Sequence, residues 1–187
     1  MNFAGVRRLP IVFVVTDNQW AISLPRSSQS AAATLAQKAI GCGFPGEQVD
    51  GNDVIAVTDR VGSAIERARS GDGPTLIEAL TYRLSDHTTA DDASRYRDDA
   101  EVTAHWKQEP VLRLRTYMVD QGYWSTSDEE LLLHECSEQI EQAVADYLAV
   151  TPQPATSMFD YLYANLPAAV TDQREEVALR HRGDSHG

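Results

Sequence analysis

The sequence predicts an α/β protein: part of a parallel sheet in its first half, followed by a helical C-terminal region. Three observations carry this. "IVFVV", Ile11–Val15, is apolar and mostly β-branched without alternation, the composition of a strand covered on both faces. "TLIEALTYR", residues 75–83, has strand composition again, and an amphipathic helix lies between the two, so strand, helix and strand alternate as in a parallel sheet. Beyond residue 100 the apolar spacing is helical. A strand as apolar as Ile11–Val15 belongs in the middle of a sheet, yet only two or three strands are legible, so the sheet is expected to be incomplete.

Pro10 opens the first strand, which runs into the polar turn "TDNQW". Residues 31–40, "AAATLAQKAI", are helix formers stopped by Gly41 and Gly43 and predict a short helix. Val54, Val57, Val61, Ile65 and Ala68 recur at helical spacing, with Asp53 as cap and Gly71 as stop. "SDHTTADDASRYRDD", 85–99, has no apolar period and reads as a surface loop, ordered by pairing of Asp91 and Asp92 with Arg95 or Arg97 together with a ligand. "AEVTAHWKQ" and "EPVLRLRTYMVDQ", the latter closed by Gly122, read as helices. The next helix opens on a capping box, Ser127 to Glu130, and sets Leu131, Leu132, Ile140, Val144, Tyr147 and Leu148 on a broad face. Pro152 and Pro154 break it, "SMFDYLYANL" makes one more short helix, and the tail frays from Thr171. The expected organisation is an α/β part over 1–84, a loop over 85–99, a helical region over 100–170 and a flexible tail over 171–187.

Composition narrows the function classes. With 28 acidic against 16 basic side chains the net charge is −12, which argues against nucleic acid as a partner. The longest apolar run, Ile11–Val15, is far below the ~20 residues of a membrane helix, and "MNFAGVRRLPIVFVV" lacks the pattern of a signal peptide, so no membrane association and a cytoplasmic location are expected. Cys42 and Cys136 offer no disulfide framework and read as buried thiols; Trp106, Trp124 and Tyr147 read as core or interface. Asp91, Asp92, Asp98 and Asp99 lack the frame of a calcium loop, and "HECSE" at His134 lacks the second His of a zinc motif.

Taken in order, "VTDNQWAIS", "QVDGNDV", "TLIEALTYR" and "SDHTTADDASRYR" resemble the alpha subunit of the thiamine-diphosphate-dependent 2-oxo acid dehydrogenases, over nearly the whole chain. The adjacent aspartates of "ADDASRYR" resemble the branched-chain type, 3-methyl-2-oxobutanoate dehydrogenase, more than the pyruvate type. The resemblance implies a thiamine-diphosphate-binding fold, of which the chain is expected to be a carboxyl-terminal portion. It implies thiamine diphosphate and Mg2+ as cofactors, with Asn18 and the backbone carbonyl of Trp20 as metal and cofactor ligands. His87 is implied as the loop histidine that contacts the diphosphate and helps position the lipoyl substrate. The family motif opens with a Gly-Asp-Gly that would lie upstream of Met1; the Gly-Asp-Gly at Gly71–Gly73 follows the Asn and reads as a helix stop. Asp17 stands where the family has a first Asn, and Thr16 where branched-chain members carry an Arg. Asp91, Arg95, Tyr96 and Arg97 are implied to order the loop, and Thr88 stands where animal relatives have a regulated serine. The implied partners are a beta subunit in an α2β2 heterotetramer, the lipoyl domain of a dihydrolipoyl acyltransferase core, and a branched-chain 2-oxo acid; pyruvate or acetoin chemistry, or a non-catalytic fragment, are the alternatives.

Overall fold

Strand β5, Thr75–Leu80, is the best-enclosed element of the computed structural model, which describes residues 1–181. Five of its six residues are buried, Glu78 among them, and only Leu80 reaches the surface. It lies between β1, Val12–Asp17, and β4, Gly46–Asp50, and pairs in parallel with both, with Val15 and Gln48 in register with Glu78. A second, two-stranded antiparallel sheet joins β2, Trp20–Ala21, to β3, Leu24–Pro25.

The α/β expectation holds, with two changes in the sheet. β1 lies at an edge instead of the middle, and Val14 is 54% exposed, because no strand among the described residues pairs with its outer side. β4 is not legible in the sequence, because "GEQVD" carries a single large apolar residue, Val49. Alternation along β5 builds a core on each face. Leu76 joins Ala36, Ala39 and Phe44, with the Phe13 and Phe44 rings stacked at 5.8 Å. Ile77 and Ala79 join Val49 and Ala64, with Val57 and Val61 packed against them.

Those valines belong to α2, Val54–Arg69, which follows the sequence closely: Asp53 Oδ1 accepts from the amides of Ile55 and Ala56 at 3.0 and 3.1 Å, and Gly71 beyond the end has φ 81°. The helix expected over 31–40 is a 3-10 helix over Ala36–Cys42 instead. Long-range hydrogen bonds defeat its propensity. The Arg26 guanidinium takes the carbonyls of Ala32 and Ala33 at 3.0 Å each, and Glu78 takes the Ala36 amide, so the bond from Ala36 to Ala32 that an α-helix needs has lost both ends. Gly46 lets β4 approach this segment, since a Cβ there would stand 2.1 Å from the Ala36 carbonyl oxygen.

A short α1, Asn2–Arg7, precedes β1; α3, Asp99–Trp106, and α4, Pro110–Asp120, follow the polar loop. The chain divides after Thr126 into two compact units. The second contains most of α5, Thr126–Ala149, then α6, Ser157–Asp160, and α7, Ala168–Arg180. Because α5 begins at Thr126, Ser127 sits inside the first turn and is not the expected cap. The helix expected over 157–166 shrinks to four residues. The tail expected to fray from Thr171 is helical to Arg180, with Arg174 paired to Asp160 at 3.1 Å; residues 182–187 of that expectation lie outside the described residues. Cys42 is half-buried and Cys136 exposed, so neither is the buried thiol expected, and Trp106 and Tyr147 are exposed while Trp124 is half-buried, so none is a core residue. No helix among the described residues is long and apolar enough to cross a membrane.

Candidate functional site

The carboxyl end of β1 delivers Asp17 into a turn held by its own side chains. Asp17 Oδ1 accepts from the Gln19 amide and Asn18 Oδ1 from the Trp20 amide, each at 3.1 Å, giving two consecutive Asx turns. Gln19 and Ile22 are forced to φ 69° and 54°, and for a β-branched isoleucine this is strained backbone. Two contacts hold it: the Arg26 amide donates to the Gln19 carbonyl at 2.8 Å, and Arg83 Nη2 donates to the Ile22 carbonyl at 2.9 Å.

Asp17, 5% exposed, also lies 3.0 Å through Oδ2 from Arg26 Nε, a charge contact without the alignment of a hydrogen bond. Its carboxylate is thus committed to the scaffold, and the oxygens left to a ligand are neutral ones, Asn18 Oδ1 and the Trp20 carbonyl. An amide oxygen has two lone pairs, and only one of Asn18's is used by the Trp20 amide. Hard neutral oxygens suit a magnesium ion that brings phosphate oxygens and water as its remaining ligands. Among the described residues no three His, Cys, Asp or Glu side chains come together, so the site offers no carboxylate cage, and the donor set fits a phosphate-borne ion. A cleft of about 180 Å3 beside the turn is lined by Thr16, Asp17, Asn18, Trp20, Arg26 and Leu35. A larger one, about 700 Å3, shares Trp20 and Arg26 and extends to Tyr82, Glu101 and His105. Its wall contains a stack of the Tyr82 and His105 rings with centroids 3.8 Å apart, and burial raises the Tyr82 phenol above its ordinary pKa.

The structure joins the polar loop to this turn through Arg83, for which the sequence predicts no role. The Arg83 amide donates to the Asn18 carbonyl at 3.1 Å, and its Nη2 donates to the Tyr96 hydroxyl at 2.8 Å. The Tyr96 ring lies 5.7 Å from Trp20, and its hydroxyl donates to Asp91. The only sequence signal for Arg83 is its place at the end of a strand that enters the site. Within the loop the expected pairing of Asp91 and Asp92 with Arg95 or Arg97 is absent among the described residues. Asp91 accepts instead from the His87 amide at 2.9 Å and Asp92 from Ser94, because a short carboxylate reaches nearby amides and hydroxyls more easily than a guanidinium. Arg97, 9% exposed, donates to the carbonyls of Arg83, Leu84 and Ser85, and Ala93 is buried, so the loop has anchors of its own. His87 is exposed; its backbone is fixed by Asp91, and its ring makes no hydrogen bond within the described residues.

The chain is similar to known proteins. The chain is 46% identical over 95% of its length to the 3-methyl-2-oxobutanoate dehydrogenase subunit alpha of Mycobacterium tuberculosis, covering 48% of that protein. It is 43% identical over 94% of its length to the pyruvate dehydrogenase E1 component subunit alpha of Bacillus cereus, covering 47% of it, and 42% identical over 94% to that of Staphylococcus epidermidis, covering 48%. The chain therefore spans about half the length of these relatives. The profile of the family described as "Dehydrogenase E1 component" matches residues 1–154, and the chain belongs to that family.

Proposed function

We propose that the chain works as part of the alpha subunit of the decarboxylating component of a 2-oxo acid dehydrogenase complex, acting on branched-chain 2-oxo acids with acyl transfer to lipoamide. The turn from Val15 to Ile22 carries the reading: it ends a parallel strand, and its uncommitted oxygens are neutral. Asn18 Oδ1 and the Trp20 carbonyl would hold Mg2+ on the diphosphate, and His87 would donate a hydrogen bond to anionic oxygens. Thiamine diphosphate, when bound, supplies the carbanion-stabilising chemistry that lets a 2-oxo acid lose carbon dioxide. The chain's own residues bind and orient: Arg83 ties the loop to the turn, and Asp91 sets the backbone at His87. A beta subunit in an α2β2 assembly, the lipoyl domain of an acyltransferase core and a cytoplasmic location go with this reading.

The branched-chain choice rests on "ADDASRYR" and on the 46% relative, against 42 and 43% for the pyruvate enzymes. Turnover of 3-methyl-2-oxobutanoate and of pyruvate by the complete alpha subunit with its beta subunit tests it; a higher kcat/KM for pyruvate selects the second reading. Asn18→Ala should weaken calorimetric binding of thiamine diphosphate with Mg2+ by more than about tenfold. Undiminished binding removes Asn18 from the site.

A further inference from the structure

Glu78 is the one carboxylate at the centre of the sheet. It is 0% exposed, yet its ionised form is favoured: burial works against the charge, but the amides of Ala36 and Leu35, with the side chain of Gln48, outweigh it and hold the carboxyl below the ordinary glutamate range. Oε2 accepts from the Ala36 amide at 2.8 Å, while Oε1 is buried without an aligned donor. Leu35 and Ala36 open the 3-10 helix Ala36–Cys42, whose N-cap, Leu35, has no side chain able to cap. A strand residue distant in sequence thus supplies the cap that the segment lacks. The same segment walls the small cleft through Leu35, and Arg26, which also lines it, is paired with Asp17.

We infer that Glu78 is a positioning residue: by capping the Ala36 amide from the sheet, it fixes the Leu35 wall of the Asn18 cleft. The inference rests on the proposed function, because it takes that cleft to be where the metal–diphosphate group sits. Glu78→Met keeps the volume and removes both acceptors, whereas Glu78→Gln keeps one acceptor. Two readouts apply, both on the complete alpha subunit with its beta subunit. Amide exchange at Ala36 should quicken at least tenfold in Glu78→Met while the amides pairing β5 with β1 stay native. Mn2+ binding in the presence of thiamine diphosphate, read by electron paramagnetic resonance, should weaken about tenfold, equivalent to ~1.4 kcal/mol, and Glu78→Gln should recover most of that loss. Native exchange at Ala36, or quickened exchange with unchanged Mn2+ affinity, overturns the inference. If the methionine variant does not fold, Glu78→Gln decides: quickened exchange at Ala36, as a neutral oxygen replaces a charged acceptor, supports the cap, and native exchange there overturns it. Asn18→Ala is the control; its failure to weaken Mn2+ binding overturns the proposed site and this inference with it, whereas a loss in Asn18→Ala beside a neutral Glu78→Met overturns the inference alone.

Discussion

Residues 1–126 and residues 127–181 use opposite means to hold their shape. The first stretch has two apolar clusters around β5 and buries charged groups only with partners: Asp17 with Arg26 and Gln19, Glu78 with Ala36, Arg97 with three carbonyls. The second contains no buried residue at all among those described. Along α5, Ile140, Val144, Tyr147 and Leu148 are 64, 51, 77 and 75% exposed, and the named contacts are surface pairs such as His134 with Glu138 at 3.4 Å and Gln142 with Asp146 at 2.7 Å. Surface pairs of this kind contribute only about 0–1 kcal/mol each. The contrast teaches that apolar spacing identifies a helix without saying whether its apolar face is covered. β5 and α5 are equally clear in the sequence, and only β5 carries a core.

The largest effect expected follows from that contrast. Ile77→Ala, at a 0% exposed position among Val49, Ala64 and Ala79, should cost about 2–5 kcal/mol in urea unfolding of the chain, while Ile140→Ala on α5 should stay within about 0.5 kcal/mol. Equal losses at the two positions would break the comparison.

A middle-sized effect probes the loop. Arg97→Ala removes donors from the carbonyls of Arg83, Leu84 and Ser85 and the cation beside the Tyr82 ring, 5.8 Å away. A loss of about 1–3 kcal/mol is expected, with exchange quickened over 83–97 and unchanged in β5. Arg97→Lys should recover little of it, since an ammonium cannot span three carbonyls as a planar fork does. Should exchange quicken equally in β5, the loop would be one cooperative unit with the sheet instead of a separate, weaker one.

What the sequence makes legible is what depends on near neighbours. The composition of Ile11–Val15 and Thr75–Leu80, the cap at Asp53 and the stop at Gly71 are local properties, and the corresponding elements are present. The 3-10 helix at Ala36–Cys42 is not legible, because Arg26 and Glu78 reach it across 6 to 42 positions of sequence and outbid its alanines. β4 is hidden for a related reason: pairing with β5, not its own composition, makes "GEQVD" a strand. At the candidate site, Asn18 and Trp20 are legible through the family motif, and the structure sets them in one turn. Arg83 and Glu78 are not, since both act on residues more than forty positions away, and a strand composition says nothing of which side chains meet its neighbours.

The smallest effect expected concerns pH. Asp91 is held below the ordinary aspartate value of 3.8, chiefly by the Tyr96 hydroxyl and the His87 amide, with the amide of Asp92 and the charge of Arg83 adding to them. Tyr96, correspondingly, is raised above its ordinary value, first by desolvation and then by its bond to Asp91. A carboxyl whose folded pKa is depressed contributes its stability above the ordinary value and loses it as pH falls through the folded value. The loop should therefore keep its form from neutrality down to about pH 4 and loosen locally only below that, with the His87 amide exchanging faster than pH alone accounts for while the β5 amides do not. In Asp91→Asn the amide oxygen still accepts one bond but no longer titrates, so the acid-dependent step at His87 should disappear. An unchanged step in that variant would assign the acid sensitivity to another carboxyl, with Asp86, which accepts from the Ala93 amide at 2.9 Å, as the next to substitute.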